Sequence, residues 1–141
     1  GRSPLLADRT WHCRSTLDVE AMDAAARLLV GTHDVASFRS VGCSASTTTR
    51  TLADARVQRV DELVHLEIEG HGFLRHMVRI LAGTLREVGL GSRSVDDFAT
   101  TLAARDRRTA GRTAPPHGLT LLWVRHADGP VAWREDEGED G

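Results

Sequence analysis

Two apolar alternations separated by an acidic dipeptide constrain this chain more than any other feature. Val64, Leu66 and Ile68 alternate with His65, Glu67 and Glu69, and before them Ala53, Ala55 and Val57 alternate with Asp54, Arg56 and Gln58. A period of two sends successive side chains to opposite faces of a strand. Asp61 and Glu62 lie between the two runs, so a hairpin is expected. One face of that hairpin is apolar and must be covered. The period then changes to that of a helix. Leu74, Met77, Val78, Leu81, Leu85 and Val88 make a core stripe on a helix expected from about Phe73 to Val88, stopped by Gly89 and Gly91.

The flanking segments supply the cover. Residues 1–10 read as a loop or linker, with Pro4 and no periodicity. Trp11, Cys13, Ser15 and Leu17 alternate with polar residues, as in a strand. Asp18 is placed to cap a helix, with Leu17 at the stapling position. Met22, Ala25, Ala26, Leu29 and Val30 fall on one face of that helix, and Gly31 is its natural stop. Thr32 to Thr51 is polar and irregular. Ser94 with Asp97 resembles a capping box, followed by a stripe of Val95, Phe98, Ala99, Leu102 and Ala103. Residues 105–118 form a basic, Pro-containing loop, and Leu119 to Val124 suggest a strand buried on both sides. The order β, α, β-hairpin, α, α, β predicts an α+β fold. Its expected form is a split βαβ (ferredoxin-like) antiparallel sheet with helices packed on one face.

Charge divides along the chain. The 141 residues carry 18 basic and 20 acidic side chains, a net −2. Residues 134–141 hold one Arg and five acids, so residues 1–133 are mildly basic at +2. One domain over 1–133 and a disordered acidic tail over 134–141 are expected. All the basic residues are Arg, and Lys, Asn and Tyr do not occur. Codon bias of a GC-rich genome accounts for this; selection for planar phosphate binders is the other reading. Cys13 and Cys43 are too few for a disulfide framework and lack a CxxC spacing, which suits a reducing cytoplasm. No HExxH motif or His/Cys cluster occurs, so no metal is expected. No apolar run approaches membrane-spanning length, and the first ten residues lack the apolar core of a secretory signal.

One local rule is broken in the helix expected at 73–88. Arg75, Arg79 and Arg86 fall within about 40° of one another at 100° per residue, away from the core stripe. Ala82 is on the same side and Gly83 flanks the turn, which would let a partner backbone come close. Arg75 and Arg79 occupy the first two turns, where the helix dipole disfavours cations by about 0.3–1 kcal/mol each. No acid follows either within four residues. The face is either solvated or meets an anion. Arg39, Arg50, Arg107, Arg108 and Arg112 are expected in polar loops, where phosphate contacts are commonly placed.

These residues carry a family resemblance. RSPLLADRTWHCRSTLDVEAM (2–22), AARLLVGTHDVASFRSVGC (25–43), TRT (49–51), GFLRHMVRILAGTLREVG (72–89) and RDRRTAGRTAPPHGLTL (105–121) resemble, in order and spacing, the C-terminal half of the tRNA pseudouridine synthase A family. The chain departs from the family's habit at Val35, where Phe is usual, at Gly70–Gly72, and at His126, where Tyr is frequent.

The resemblance implies isomerisation of uridine to pseudouridine in the tRNA anticodon stem-loop, with no cofactor and no metal. It implies a cytoplasmic protein with tRNA as partner, and a homodimer. The family's catalytic Asp lies in an RTDxGVHA motif of the N-terminal half, and neither RTD nor any Tyr occurs here. Arg79 matches the Arg that pairs with that Asp. Leu119, with Gly118 before it, matches the apolar element that packs against the uracil; Leu119 reads equally as strand core. Arg39, Arg50, Arg75 and His76 are candidate RNA-facing residues, and His76 reads equally as a surface residue. Asp34 belongs to an HDF-like element, and its expected role is to cap a turn. His117 matches a variable position. Three readings follow: a half-enzyme inactive alone, an autonomous RNA-binding module, or a docking subunit for a separate catalytic half.

Overall fold

The two alternations form the expected hairpin, and it is the centre of the molecule. A computed structural model describes residues 5–12, 17–39, 47–61, 63–70, 76–111, 123–124 and 130–131. Strand β3 (Thr49–Val60) pairs antiparallel with β4 (Leu63–Gly70), Val60 facing Leu63. Asp61 takes a left-handed φ of 55°, the conformation that tight hairpin turns demand. Val64, Leu66 and Ile68 are fully buried, while His65, Glu67 and Glu69 lie on the other face. Each fully buried aliphatic side chain contributes about 1.5–3 kcal/mol.

On β3 the alternation is interrupted. Leu52 pairs with Gly70 and Asp54 with Glu69, so Ala53 is the extra residue of a β-bulge. The bulge reverses the phase of the strand. Leu52, Ala55 and Val57 are buried and Ala53 is exposed, whereas simple alternation put Ala53 with Ala55.

Strand β1 spans Leu5–His12, so the segment read as a loop at 1–10 pairs from Leu5 onward; Cys13 and Ser15 of the expected strand lie outside the described residues. It was hidden because Arg9 and Thr10 break its apolar pattern. β1 is antiparallel to β4, as is β3, so β1 and β3 are parallel with β4 inserted between them. Helix α1 (Val19–Arg27) crosses between β1 and β3, which is the split βαβ arrangement. A short strand β2 (Gly31–Asp34) lies on the outer side of β3, giving the order β1-β4-β3-β2. The polar stretch at 32–51 thus contains a strand, a 3-10 turn at Ala36–Phe38 and the start of β3. Trp123–Val124 (β5) pairs with Pro130–Val131 (β6), and β5 lies against β1. The rest of the strand expected from Leu119, and the tail at 134–141, lie outside the described residues.

Asp18 caps α1, accepting the Ala21 N–H at 3.0 Å. The helix ends at Arg27, earlier than expected. Val30 is 42% exposed, and Gly31, at φ 111°, opens β2. Helix α2 covers Met77–Leu90 rather than 73–88. His76 precedes it with φ 58°, so the chain turns sharply into the helix there. Gly91, at φ 85°, ends it, and Gly89 is buried inside its last turn. A Cβ on Gly89 would lie 2.6 Å from Met22 Sδ and 3.1 Å from Leu17 Cδ2. The Gly89 carbonyl accepts the Asp18 N–H at 2.9 Å. Gly89 is therefore a close-approach residue between α1 and α2, not a stop. Ala82, expected on the arginine side, is fully buried.

Helix α3 (Val95–Ala104) carries the full Ser94–Asp97 capping box. Its buried face is centred on Phe98 and Thr101, while Ala99 and Ala103 are exposed. The Phe98 ring stacks on Phe38 with centroids 5.7 Å apart. In the loop expected at 105–118, Asp106 begins a 3-10 turn at Arg107–Thr109.

Two stability outcomes follow. Phe98→Ala removes a fully buried stacked ring and should cost about 3–5 kcal/mol, read as a lower urea midpoint. Gly89→Val inserts side-chain atoms between α1 and α2 and should cost about 1–3 kcal/mol by the same measurement.

Candidate functional site

Antiparallel pairing gathers several of the expected site residues at one end of the sheet. The start of β3 and the end of β4 meet there, Leu52 facing Gly70, and β2 pairs alongside with Asp34 facing Thr49. α2 leaves from this end soon after Gly70. It runs to the opposite end, where Gly89 meets the Asp18 backbone after β1. The first turn of α2 thus lies toward the same end as Arg50 and the β2 terminus.

Arg79 is the third residue of α2 and is half-buried. The first turn holds no acid, and its N–H groups and positive dipole end favour a negative partner. The His76 side chain does not cap the helix. Arg50 pairs across from His33, and its Nη1 donates to Thr47 O, Thr47 Oγ1 and Thr49 O at 2.9–3.1 Å. Anchoring one nitrogen fixes the direction of the planar fork. Arg39 follows the Ala36–Phe38 turn and is half-buried. That turn packs against α2, α3 and the Arg107–Thr109 turn. Arg39, Arg50, His76 and Arg79 therefore come from elements joined at one region. Arg75, Gly118 and Leu119 lie outside the described residues, as do Arg112 and His117.

Asp34 has the expected turn-capping role. Its Oδ1 accepts the Ala36 N–H at 3.0 Å and the Thr48 hydroxyl at 2.7 Å. An open cavity of about 250 Å³ lies between β2 and α3, lined by Leu28, His33, Asp34, Leu102 and Arg105 among others. It takes in Ala99 and Ala103, which explains why those two are not core. Among the described residues no group of three or more His, Cys, Asp or Glu side chains is gathered to hold a metal. Among them, too, no helix is long and apolar enough to cross a membrane.

Three polar residues escaped the pattern reading. Ser37, Thr84 and Thr101 are buried. Arg93 spans several elements, its Nε and Nη2 on Glu87 Oε1 and its Nη1 on Thr101 Oγ1 and Thr109 O. The available signal was Thr84, a hydroxyl residue flanked by the core positions Leu81, Leu85 and Val88.

The split βαβ order, with helices on one face of an antiparallel sheet, is that of a ferredoxin-like α+β domain. Residues 25–126 match the tRNA pseudouridine synthase family, and the chain belongs to that family. It is 48% identical over 126 residues to tRNA pseudouridine synthase A of Syntrophotalea carbinolica, covering 89% of this chain and 50% of that protein. The enzyme of the same name from Acetivibrio thermocellus is 48% identical over 122 residues, covering 86% and 50%. That of Caulobacter vibrioides is 46% identical over 129 residues, covering 90% and 52%. The chain spans about half the length of these relatives.

Acid should weaken the region around α3. Hydrogen bonds from Ser94 hold the Asp97 carboxyl below the ordinary carboxylate range, and those from Arg108 do the same for Asp106. A carboxyl depressed in the folded state contributes stability that is complete above the unfolded value, near 3.8, and lost as pH falls through the folded one. The urea midpoint should therefore fall below about pH 4. In Asp97→Asn, which removes the carboxyl that accepts the Ser94 N–H, that acid limb should be shallower.

Proposed function

We propose that this chain is the RNA-binding, Arg-supplying domain of a tRNA pseudouridine synthase that isomerises uridine in the anticodon stem-loop. The observation that carries the reading is the family match over 25–126 in a chain half the length of its relatives. The family's RTDxGVHA motif does not occur in these 141 residues. A catalytic Asp then comes from a complementary half.

In the reaction the glycosidic C–N bond breaks, the uracil turns, and a C–C bond forms to the same sugar. The target base must first leave its stack. Arg79 pairs with the catalytic carboxylate. A guanidinium favours the ionised form in a partly dry pocket, and the α2 dipole reinforces the attraction. Leu119, with Gly118, packs against the uracil. Arg39, Arg50, Arg75 and His76 meet the RNA, the arginines as phosphate binders. The protein works in the cytoplasm as a homodimer, and no metal or organic cofactor takes part.

A tRNA pseudouridylation assay tests this. The chain alone should give no turnover, and activity should emerge when an N-terminal half bearing the RTD Asp is added. Arg79→Ala should abolish that activity while leaving tRNA affinity nearly unchanged. Clear turnover by the chain alone would falsify the reading. Binding of tRNA should weaken steeply with salt. The double variant Arg39→Ala/Arg50→Ala should lower the log–log slope by about one per lost phosphate contact.

A further inference from the structure

Two fully buried hydroxyls form a joint that the reaction as described leaves unused. Ser37, in the Ala36–Phe38 turn, donates to Thr101 O at 2.7 Å and accepts the Asp106 N–H at 2.8 Å. Thr84, on α2, donates to Ile80 O at 2.8 Å and accepts the Gly111 N–H at 2.9 Å. Between them Arg93 Nη1 holds the Thr109 carbonyl at 2.9 Å. The backbone of 106–111 is thus fastened at both ends and in the middle by side chains from three other places in the fold. Gly111 itself is buried. A Cβ there would lie 2.5 Å from Glu87 Oε2 and 3.0 Å from Thr84 Cα.

The joint links the contributors to the proposed site. Thr84 is five residues beyond Arg79 on the same helix, about 7.5 Å along its axis. Ser37 is two residues before Arg39. A Thr in a helix commonly bonds its own i−4 carbonyl. Thr84 does so and in addition accepts an N–H from a segment 27 positions away. Removing that acceptor strands a buried donor, which costs far more than a helix hydroxyl alone.

We propose that Ser37 and Thr84 are positioning residues: their hydroxyls lock the 106–111 strap between the Ala36–Phe38 turn and α2, and so hold Arg39 and Arg79 in fixed relation. The inference rests on the site reading above.

Hydrogen–deuterium exchange and low-salt tRNA binding on the full chain test it with Thr84→Val, Thr84→Ser and Ser37→Ala. Thr84→Val should speed amide exchange across 106–111 by about tenfold or more while β3 and β4 keep their protection. The same variant should weaken tRNA binding by about threefold or more. Thr84→Ser should restore both, and Ser37→Ala should reproduce the pattern even if Thr84→Val does not fold. Wild-type exchange rates at 106–111 in both hydroxyl-loss variants overturn the proposal. So does a loosened segment with undiminished tRNA affinity, or loss of protection throughout the sheet in both. Should the wild-type chain bind no tRNA at low salt, the RNA reading fails, and the exchange comparison still decides whether the lock exists.

Discussion

Val64, Leu66 and Ile68 lose all contact with water, and every other residue along β4 faces away from them. That one-sided burial sets the rest of the architecture. An antiparallel hairpin with a single apolar face needs a cover on that face only. α1 and α2 supply it, packed on each other closely enough that Gly89 has no room for a side chain. The other face remains polar, with Arg56 paired to Glu67 at 2.7 Å and Thr32 to Thr51 at 2.8 Å. The direction of α2 is fixed from its C-terminal end. Its C-terminus is tied to the Asp18 backbone, and its first turn is therefore left at the far end of the sheet, beside β2 and the start of β3.

The polar bonds divide into two kinds with different consequences. Exposed pairs such as Arg27–Asp23 and Arg56–Asp54 are solvated and contribute little. The buried hydroxyls of Ser37 and Thr84 cannot exchange their partners for water, so their geometry is enforced. They join segments distant in sequence, Ser37 to Asp106 and Thr84 to Gly111. A core built from aliphatic contacts alone would tolerate sliding of a surface segment; directional bonds with no water substitute do not. The same logic applies to Arg93, whose three nitrogens are spread over α2, α3 and the turn that follows.

Much of the fold was legible because most core positions keep strict spacing. The alternation on β4, the Asp18 and Ser94 caps and the α2 stripe from Met77 to Val88 are all local patterns, and each has its expected structure; Leu74 lies outside the described residues. The misreadings share one cause. Ala53 is exposed because a bulge inserts a residue, and β1 begins at Leu5 because β4 offers it a pairing edge. Gly89 continues a helix because Met22 and Leu17 press on it. In each case a partner remote in sequence overrides the local signal. For the candidate site, the arginines were visible as a periodic exception on a helix. The hydroxyl joint beneath them was not, because a buried Thr in an apolar stripe looks like an ordinary neighbour until its acceptor is seen to be used.

Sequence alone determined the central hairpin, the three helices, the split βαβ order and the family to which the chain belongs, since periodicity, capping and motif spacing are properties of neighbouring residues. Tertiary structure decided where α2 begins, which face of β3 is buried, and that Arg39, Arg50, His76 and Arg79 come from elements meeting at one end of the sheet. Those outcomes depend on strand register and helix direction, which are set by contacts between residues far apart in the chain.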